Sequence, residues 1–140
     1  LALGIAFDWD VAKNVVMHAC SALEKDLLYR LRLDLLPNGE FLTATGALDP
    51  IAGPVKIFWA KDILQSASVM HSGNPLLLHK VSKRALYDQA WQKAVQLGGF
   101  DALFTNEQGF VTEGGRTSIF VQAKGSSEWL TPPVTAGLLP

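Results

Sequence analysis

The sequence predicts an α+β chain in two parts, a small α/β piece followed by part of a larger, β-rich domain. Three observations carry that prediction. Apolar residues recur at helical spacing over 11–23, and apolar and charged residues alternate strictly over 28–35. A glycine- and proline-rich break at 46–54 then precedes a half dominated by short strand-like runs. The expected boundaries are 1–50 for the end of the small domain, 51–54 for a linker and 55–140 for the larger domain.

Taken in order, 1–7 reads as the end of an element, and Asp8 or Asp10 is a good helix cap, because a short carboxylate can accept from the first free N–H groups. Val15, Val16, Ala19, Cys20 and Leu23 form the apolar stripe of the helix that follows. Leu31, Leu33 and Leu35 oppose Arg30, Arg32 and Asp34, the period-two pattern of a half-buried strand. Pro37-Asn38-Gly39 supplies a hairpin turn, and 40–45 returns as the partner strand. After the break, 55–60 reads as an apolar strand, whereas 65–78 carries the turn Ser72-Gly73-Asn74-Pro75 and no assignable period.

From Ser82 the spacing is helical again. Leu86, Ala90, Ala94 and Leu97 form one stripe, flanked by Tyr87, Trp91 and Val95, and Gly98 supplies the stop. Strands are expected over 101–105, 110–112, 117–123 and 129–131, with turns at 106–109 and 124–127. Pro132-Pro133 ends the last strand, since neither proline can donate to a ladder.

Composition narrows the function classes. The 140 residues are 49% hydrophobic and 18% charged, with a formal net charge of -1. That balance offers no electrostatic footprint for nucleic acid or an anionic membrane, and no apolar run approaches the roughly 20 residues of a bilayer span. The single cysteine, Cys20, excludes an internal disulfide and makes a reducing cytoplasm the default compartment. On its helical stripe Cys20 is expected to be a buried thiol. His18 and His71 have no carboxylate or cysteine at ligand spacing, so no metal site is expected. The chain opens on Leu1 inside an apolar segment and closes on Gly137-Leu138-Leu139-Pro140 without a polar tail. Ordering a terminus costs entropy, and we expect the interior of a longer protein.

Two stretches carry residues suited to chemistry. Leu78-His79-Lys80-Val81-Ser82-Lys83-Arg84 puts a lysine where a loop or strand gives way to a helix, and Val111-Thr112-Glu113-Gly114-Gly115-Arg116 puts a carboxylate at a strand end ahead of two glycines. A lysine able to act as nucleophile and proton shuttle, with an acid facing a cationic ring, suits a pyridoxal phosphate enzyme. Taken alone, Lys80 would be a solvated lysine and Glu113 a turn-flanking glutamate. Arg30 and Arg32 read as solvated, with bidentate capture of a substrate carboxylate as the alternative.

His79-Lys80, Arg84-Ala85-Leu86-Tyr87-Asp88, Leu103-Phe104-Thr105-Asn106-Glu107, Val111-Thr112-Glu113-Gly114, Ile119-Phe120-Val121, Thr131-Pro132-Pro133 and Gly137-Leu138-Leu139-Pro140 occur in the order and spacing of another group of proteins. In them the chain resembles the class IV aminotransferase family of fold-type IV pyridoxal phosphate enzymes, specifically from Leu78 onward and loosely before. The Arg-Ala-Leu-Tyr-Asp segment and the Gly-Leu-Leu-Pro ending are most similar to 4-amino-4-deoxychorismate lyases, including the form fused behind a chorismate-aminating domain.

The resemblance implies a D-amino acid aminotransferase-like fold, pyridoxal 5'-phosphate as cofactor, a small-molecule amino substrate and a homodimer. By the same resemblance Lys80 matches the lysine that carries the cofactor covalently and moves protons at the substrate α-carbon. Glu113 matches the acid that keeps the pyridine nitrogen protonated. Leu139 matches the leucine packed on the ring, although an ordinary core position suits it equally. Arg84 matches a site-lining cation, expected one helical turn from Lys80. Gly115 and Ser118 stand where many members carry serine and asparagine, and Lys83 where asparagine is common. In the family the phosphate is held by an arginine upstream of these residues and by groups just after the Leu-Pro ending. The implied activity is that of 4-amino-4-deoxychorismate lyase, forming 4-aminobenzoate and pyruvate for folate synthesis. The alternatives are an aminotransferase for branched-chain or D-amino acids and a non-catalytic dimerisation domain.

Overall fold

The structure, a computed structural model, describes residues 3–64 and 69–140. The expectations for Leu1, Ala2 and 65–68 lie outside the described residues. Contacts divide the chain into two compact units, Leu1–Ala52 and Gly53–Pro140.

In the first unit, helix α1 runs Trp9–Ser21, and Asp8 Oδ1 caps it by accepting from the N–H groups of Asp10 and Val11 at 2.9 and 3.1 Å. Strands β1 (Tyr29–Leu35) and β2 (Phe41–Ala47) pair antiparallel from Leu35↔Phe41 to Tyr29↔Ala47. Leu31, Leu33 and Leu35 are half-buried while Arg30 and Arg32 are exposed, as the alternation predicts. Arg32 pairs with Asp34 along its own strand. The turn needs one left-handed residue, Gly39 at φ +85°, the arrangement of a three-residue hairpin loop.

Cys20 corrects the sequence reading: it is exposed. The buried residue of α1 is Ala12, and Val15, Val16, Ala19 and Leu23 flank it as half-buried neighbours. At 3.6 residues per turn Cys20 lies about 80° round the helix from Ala12, beyond the reach of a two-stranded hairpin.

The second unit is organised around β5 (Asp101–Asn106), in which Asp101, Ala102, Phe104 and Asn106 are buried and Leu103 and Thr105 half-buried. Strand β3 (Ile57–Trp59) pairs parallel with its first half, β4 (Val69–Met70) parallel with its end, and β6 (Val111–Gly114) antiparallel. The expected strand over 55–60 is shorter, because Ala60 begins the single-turn helix α2 (Ala60–Ile63). Helix α3 (Ala85–Gln96) packs on this sheet through Tyr87, Ala90 and Ala94, and its residues join Ala60, Met70, Ala102 and Phe104 in one apolar cluster. Small alanines let helix and sheet approach closely, and the Tyr87 and Phe104 rings fill the remaining space with centroids 4.9 Å apart. The tyrosine expected on the flank is therefore central, whereas Leu97 is exposed. The helix stops in a Schellman arrangement: Gly98, at φ +75°, donates to the Val95 carbonyl and Gly99 to the Ala94 carbonyl.

Beyond β6, the strand expected over 117–123 reduces to β7 (Val121–Gln122), paired with β8 (Trp129–Leu130). Thr117 is drawn out of a ladder because its hydroxyl donates to Asp101. Two 3-10 turns, Pro75–Leu78 and Val134–Ala136, complete the described elements. No helix among the described residues is long and apolar enough to cross a membrane.

Candidate active site

Two hollows mark the second unit, and their chemistry separates them. One of about 340 Å³ is walled by Trp59, Leu103, Val111, Ile119, Val121 and Leu130 with Thr131 and Pro132, and carries no ionisable side chain. The other, about 210 Å³, is lined by Lys80, Lys83, Arg84, Glu113 and His79 together with Tyr87, Leu139 and other residues. Lys80, Arg84, Glu113 and Leu139, far apart in sequence, thus meet at one pocket. Its volume falls short of the ~300–1,000 Å³ of a complete small-molecule site. Among the described residues, no group of three or more His, Cys, Asp or Glu is placed to hold a metal ion.

Each residue arrives there for a local reason. Lys80 is exposed and follows the 3-10 turn Pro75–Leu78, which Asn74 caps by accepting from the Leu76 N–H at 3.1 Å. It does not lie on a helix. Helix α3 begins only at Ala85, so the expected one-turn relation between Lys80 and Arg84 is replaced by an irregular stretch that turns both toward the pocket. Arg84 occupies the cap position of α3; its guanidinium lies 4.8 Å over the Tyr87 ring and donates to the Gly115 carbonyl at 2.6 Å.

Glu113 is placed by strand alternation. Thr112 is fully buried, and its hydroxyl donates to the Phe104 carbonyl at 3.3 Å, so Glu113 emerges on the opposite face, half-buried. There the Tyr87 hydroxyl donates to Glu113 Oε1 at 2.7 Å. Burial, reinforced by that bond and by the Glu113 charge, raises the Tyr87 phenol well above its ordinary range, against a lesser opposing pull from Arg84. The phenol therefore keeps its proton and is the donor in this bond.

The turn after Glu113 is held by a residue the sequence reading passed over. Asp101 is fully buried; Oδ2 accepts from the Arg116 N–H at 3.1 Å and the Thr117 hydroxyl at 2.6 Å, and Oδ1 from the Ala102 N–H at 2.8 Å. Gly114 and Gly115 are required because a Cβ at either would run into this carboxylate. Arg116 leaves the turn between the Trp91 and Phe100 rings, 4.9 and 4.5 Å from their centroids. Leu139 reaches the pocket from a segment tied down by Asn106, whose Nδ2 donates to the Ala136 carbonyl at 3.2 Å. Tyr87 and Asp101 were missed for one reason: each lies on an element where its spacing reads as packing, and only the fold reveals its polar partner.

This architecture agrees with the comparisons to known proteins. The family model described as Amino-transferase class IV matches residues 1–140. The chain is similar to a solved protein of Mesorhizobium loti assigned as an amino-acid aminotransferase, with 28% identity and a TM-score of 0.83 over 99% of this chain and 64% of that one. It is similar to a Legionella pneumophila protein assigned as a 4-amino-4-deoxychorismate lyase, with 25% identity and a TM-score of 0.59 over 71% of this chain and 34% of that one. The fold is shared with a branched-chain aminotransferase of Thermoproteus uzoniensis, with 20% identity and a TM-score of 0.67 over 99% of this chain and 50% of that one. No curated protein matches. The chain thus spans less than two thirds of the length of these solved relatives. It belongs to the class IV aminotransferase family, a family of pyridoxal phosphate enzymes.

The lining of the smaller pocket fits that cofactor at its reactive end. A primary amine suits an aldehyde, a carboxylate suits a protonated ring nitrogen, and Leu139 offers an apolar surface for a ring. Tyr87 takes Glu113 Oε1 and, among the described residues, Oε2 receives no hydrogen bond, so one carboxylate oxygen remains for a ligand cation.

Proposed function

We propose that this chain supplies the amine and the ring acid of a pyridoxal phosphate site, and that the whole protein is a 4-amino-4-deoxychorismate lyase releasing 4-aminobenzoate and pyruvate. The observation that carries the reading is the convergence of Lys80, Glu113 and Leu139 on one pocket, with Glu113 already held by Tyr87. Bound pyridoxal phosphate supplies an aldehyde that captures amines and a ring that accepts electrons. Lys80 would hold the cofactor through its amine and, when free, would take the proton from the substrate α-carbon. Glu113 keeps a proton at the ring nitrogen, where a carboxylate stabilises the cationic form. Leu139 excludes water from one side of the pocket. Similarity of Arg84-Ala85-Leu86-Tyr87-Asp88 and Gly137-Leu138-Leu139-Pro140 to the lyases favours elimination, and the family suggests a homodimer working in the cytoplasm.

A second reading, amino transfer to a keto acid, is supported by the likeness to the Mesorhizobium loti aminotransferase, which covers 99% of the chain. The two readings part at the proton that Lys80 would take: amino transfer needs Lys80 to deliver it back, whereas elimination needs only that the leaving group depart. Purified full-length protein should release pyruvate and 4-aminobenzoate from aminodeoxychorismate without added keto acid. Turnover that demands a keto acid, with branched-chain or D-amino acids as donors, would select the aminotransferase. A full-length protein that retains no stoichiometric cofactor would leave the dimerisation role instead.

A further inference from the structure

We infer that Tyr87 is a positioning residue for Glu113: its phenol holds one carboxylate oxygen in place and thereby reserves the other for the cationic ring nitrogen of the cofactor. The inference rests on the cofactor reading above and adds to it a residue that acts through the ring acid.

Three contacts make Tyr87 a rigid donor. It sits in the first turn of α3 and is buried. Its ring packs against the fully buried Phe104, and the Arg84 guanidinium lies over it at 4.8 Å. The phenol is therefore clamped between the core and a cation, with its hydroxyl 2.7 Å from Glu113 Oε1. Arg84 also reaches the Gly115 carbonyl, two residues beyond Glu113, so α3 holds the end of β6 at two points. A free glutamate samples several χ rotamers, whereas one with an oxygen pinned presents the other in a single direction. A hydroxyl that merely satisfied its own hydrogen bond would produce the same distance but no coupling to a ligand.

Pyridoxamine phosphate separates these cases, because it has no aldehyde and reports the ring contact without the Lys80 bond. Its Kd is measured by titration on the full-length protein for wild type, Tyr87→Phe, Glu113→Gln and the double variant. Tyr87→Phe keeps the ring that packs on Phe104, and melting of each unliganded protein confirms folding. Tyr87→Phe should raise the Kd about tenfold, within the coupling expected between groups that share one hydrogen-bond network. In the Glu113→Gln background the same change should raise it less than about twofold, since the residue it positions no longer carries the charge. An unchanged Kd for Tyr87→Phe, or equal losses in the two backgrounds, overturns the inference. A lowered melting temperature with unchanged Kd assigns Tyr87 to stability alone and overturns it as well. Failure of the wild-type protein to bind pyridoxamine phosphate refutes the cofactor reading, and the inference falls with it.

Discussion

Gly115→Ala should destabilise the protein because Asp101 already occupies the space a methyl group needs. A Cβ built on Gly115 lies 2.8 Å from Asp101 Oδ1, 3.0 Å from the Tyr87 carbonyl oxygen and 3.2 Å from Trp91 Cβ. None of these neighbours yields cheaply. Asp101 Oδ1 accepts from the Ala102 N–H, the Tyr87 carbonyl belongs to the first turn of α3, and Trp91 is anchored in the same helix. Overpacking of this kind costs about 1–3 kcal/mol, and disturbing a bond to a charged acceptor adds to it. The chain-entropy gain from replacing glycine offsets only about 0.4–1 kcal/mol. A net loss of about 1–3 kcal/mol corresponds to a melting temperature lower by roughly 2–12 °C at about 2–4 °C per kcal/mol. Thermal melting of the full-length protein, without cofactor, checks this. In an Asp101→Ala background the nearest wall is gone, and adding Gly115→Ala should cost at least about 1 kcal/mol less than it does alone. A variant that melts at or above wild type, or pays the same cost in both backgrounds, refutes the packing argument.

Three further outcomes are expected. Lys80→Ala should abolish borohydride-trapped attachment of cofactor, read by peptide mass, while leaving the unliganded protein's melting temperature within about 1 °C, because the side chain is exposed and surface changes cost little. Glu107 accepts from the Ser72 hydroxyl at 2.5 Å and the Ser72 N–H at 2.9 Å, and chiefly these bonds lower its pKa from 4.5 to about 2. The stability it contributes is therefore complete above about pH 4.5 and lost as pH falls toward 2, so Glu107→Gln should flatten that part of the melting-versus-pH curve. Cys20, exposed on α1, should react with one equivalent of a thiol reagent in the folded protein without denaturant.

Helix α1, the first hairpin and helix α3 were legible in the sequence because each carries an apolar period with a chemical boundary: the Asp8 cap before α1, Gly39 in the turn and Gly98 after α3. Elements whose boundaries depend on distant partners were not. Nothing local to Thr117 announces that its hydroxyl will serve Asp101, sixteen residues earlier, and so the long strand expected there shrinks to β7. The pocket divides in the same way. Lys80, Arg84, Glu113 and Leu139 were identifiable from a familiar order of motifs, and the fold adds that they line one pocket. Tyr87 and Asp101 were invisible as polar residues because their helix and strand positions describe burial equally well. Cys20 shows the converse error: helical spacing locates a stripe but not how wide a face the neighbouring sheet can cover.

The two principal side chains are carried by different kinds of structure, and the chemistry proposed for them explains the difference. In the proposed chemistry Glu113 would face one ring nitrogen, and its surroundings restrain it: Thr112 is fully buried beside it, Tyr87 holds its carboxylate, and Asp101 locks the turn that follows. In the proposed chemistry Lys80 would serve both as the cofactor's anchor and as a proton carrier, which a side chain fixed by neighbours could not do. Its exposed position on an irregular stretch between a 3-10 turn and α3 leaves the amine that freedom while keeping its backbone at the pocket rim. A fixed acid on a strand and a movable amine on a loop are opposite demands met within 34 residues, and the core formed by Tyr87, Ala90, Phe104 and Ala102 joins them. Disturbing that core should therefore disturb Glu113 before Lys80, so that ring binding weakens while the amine stays reactive.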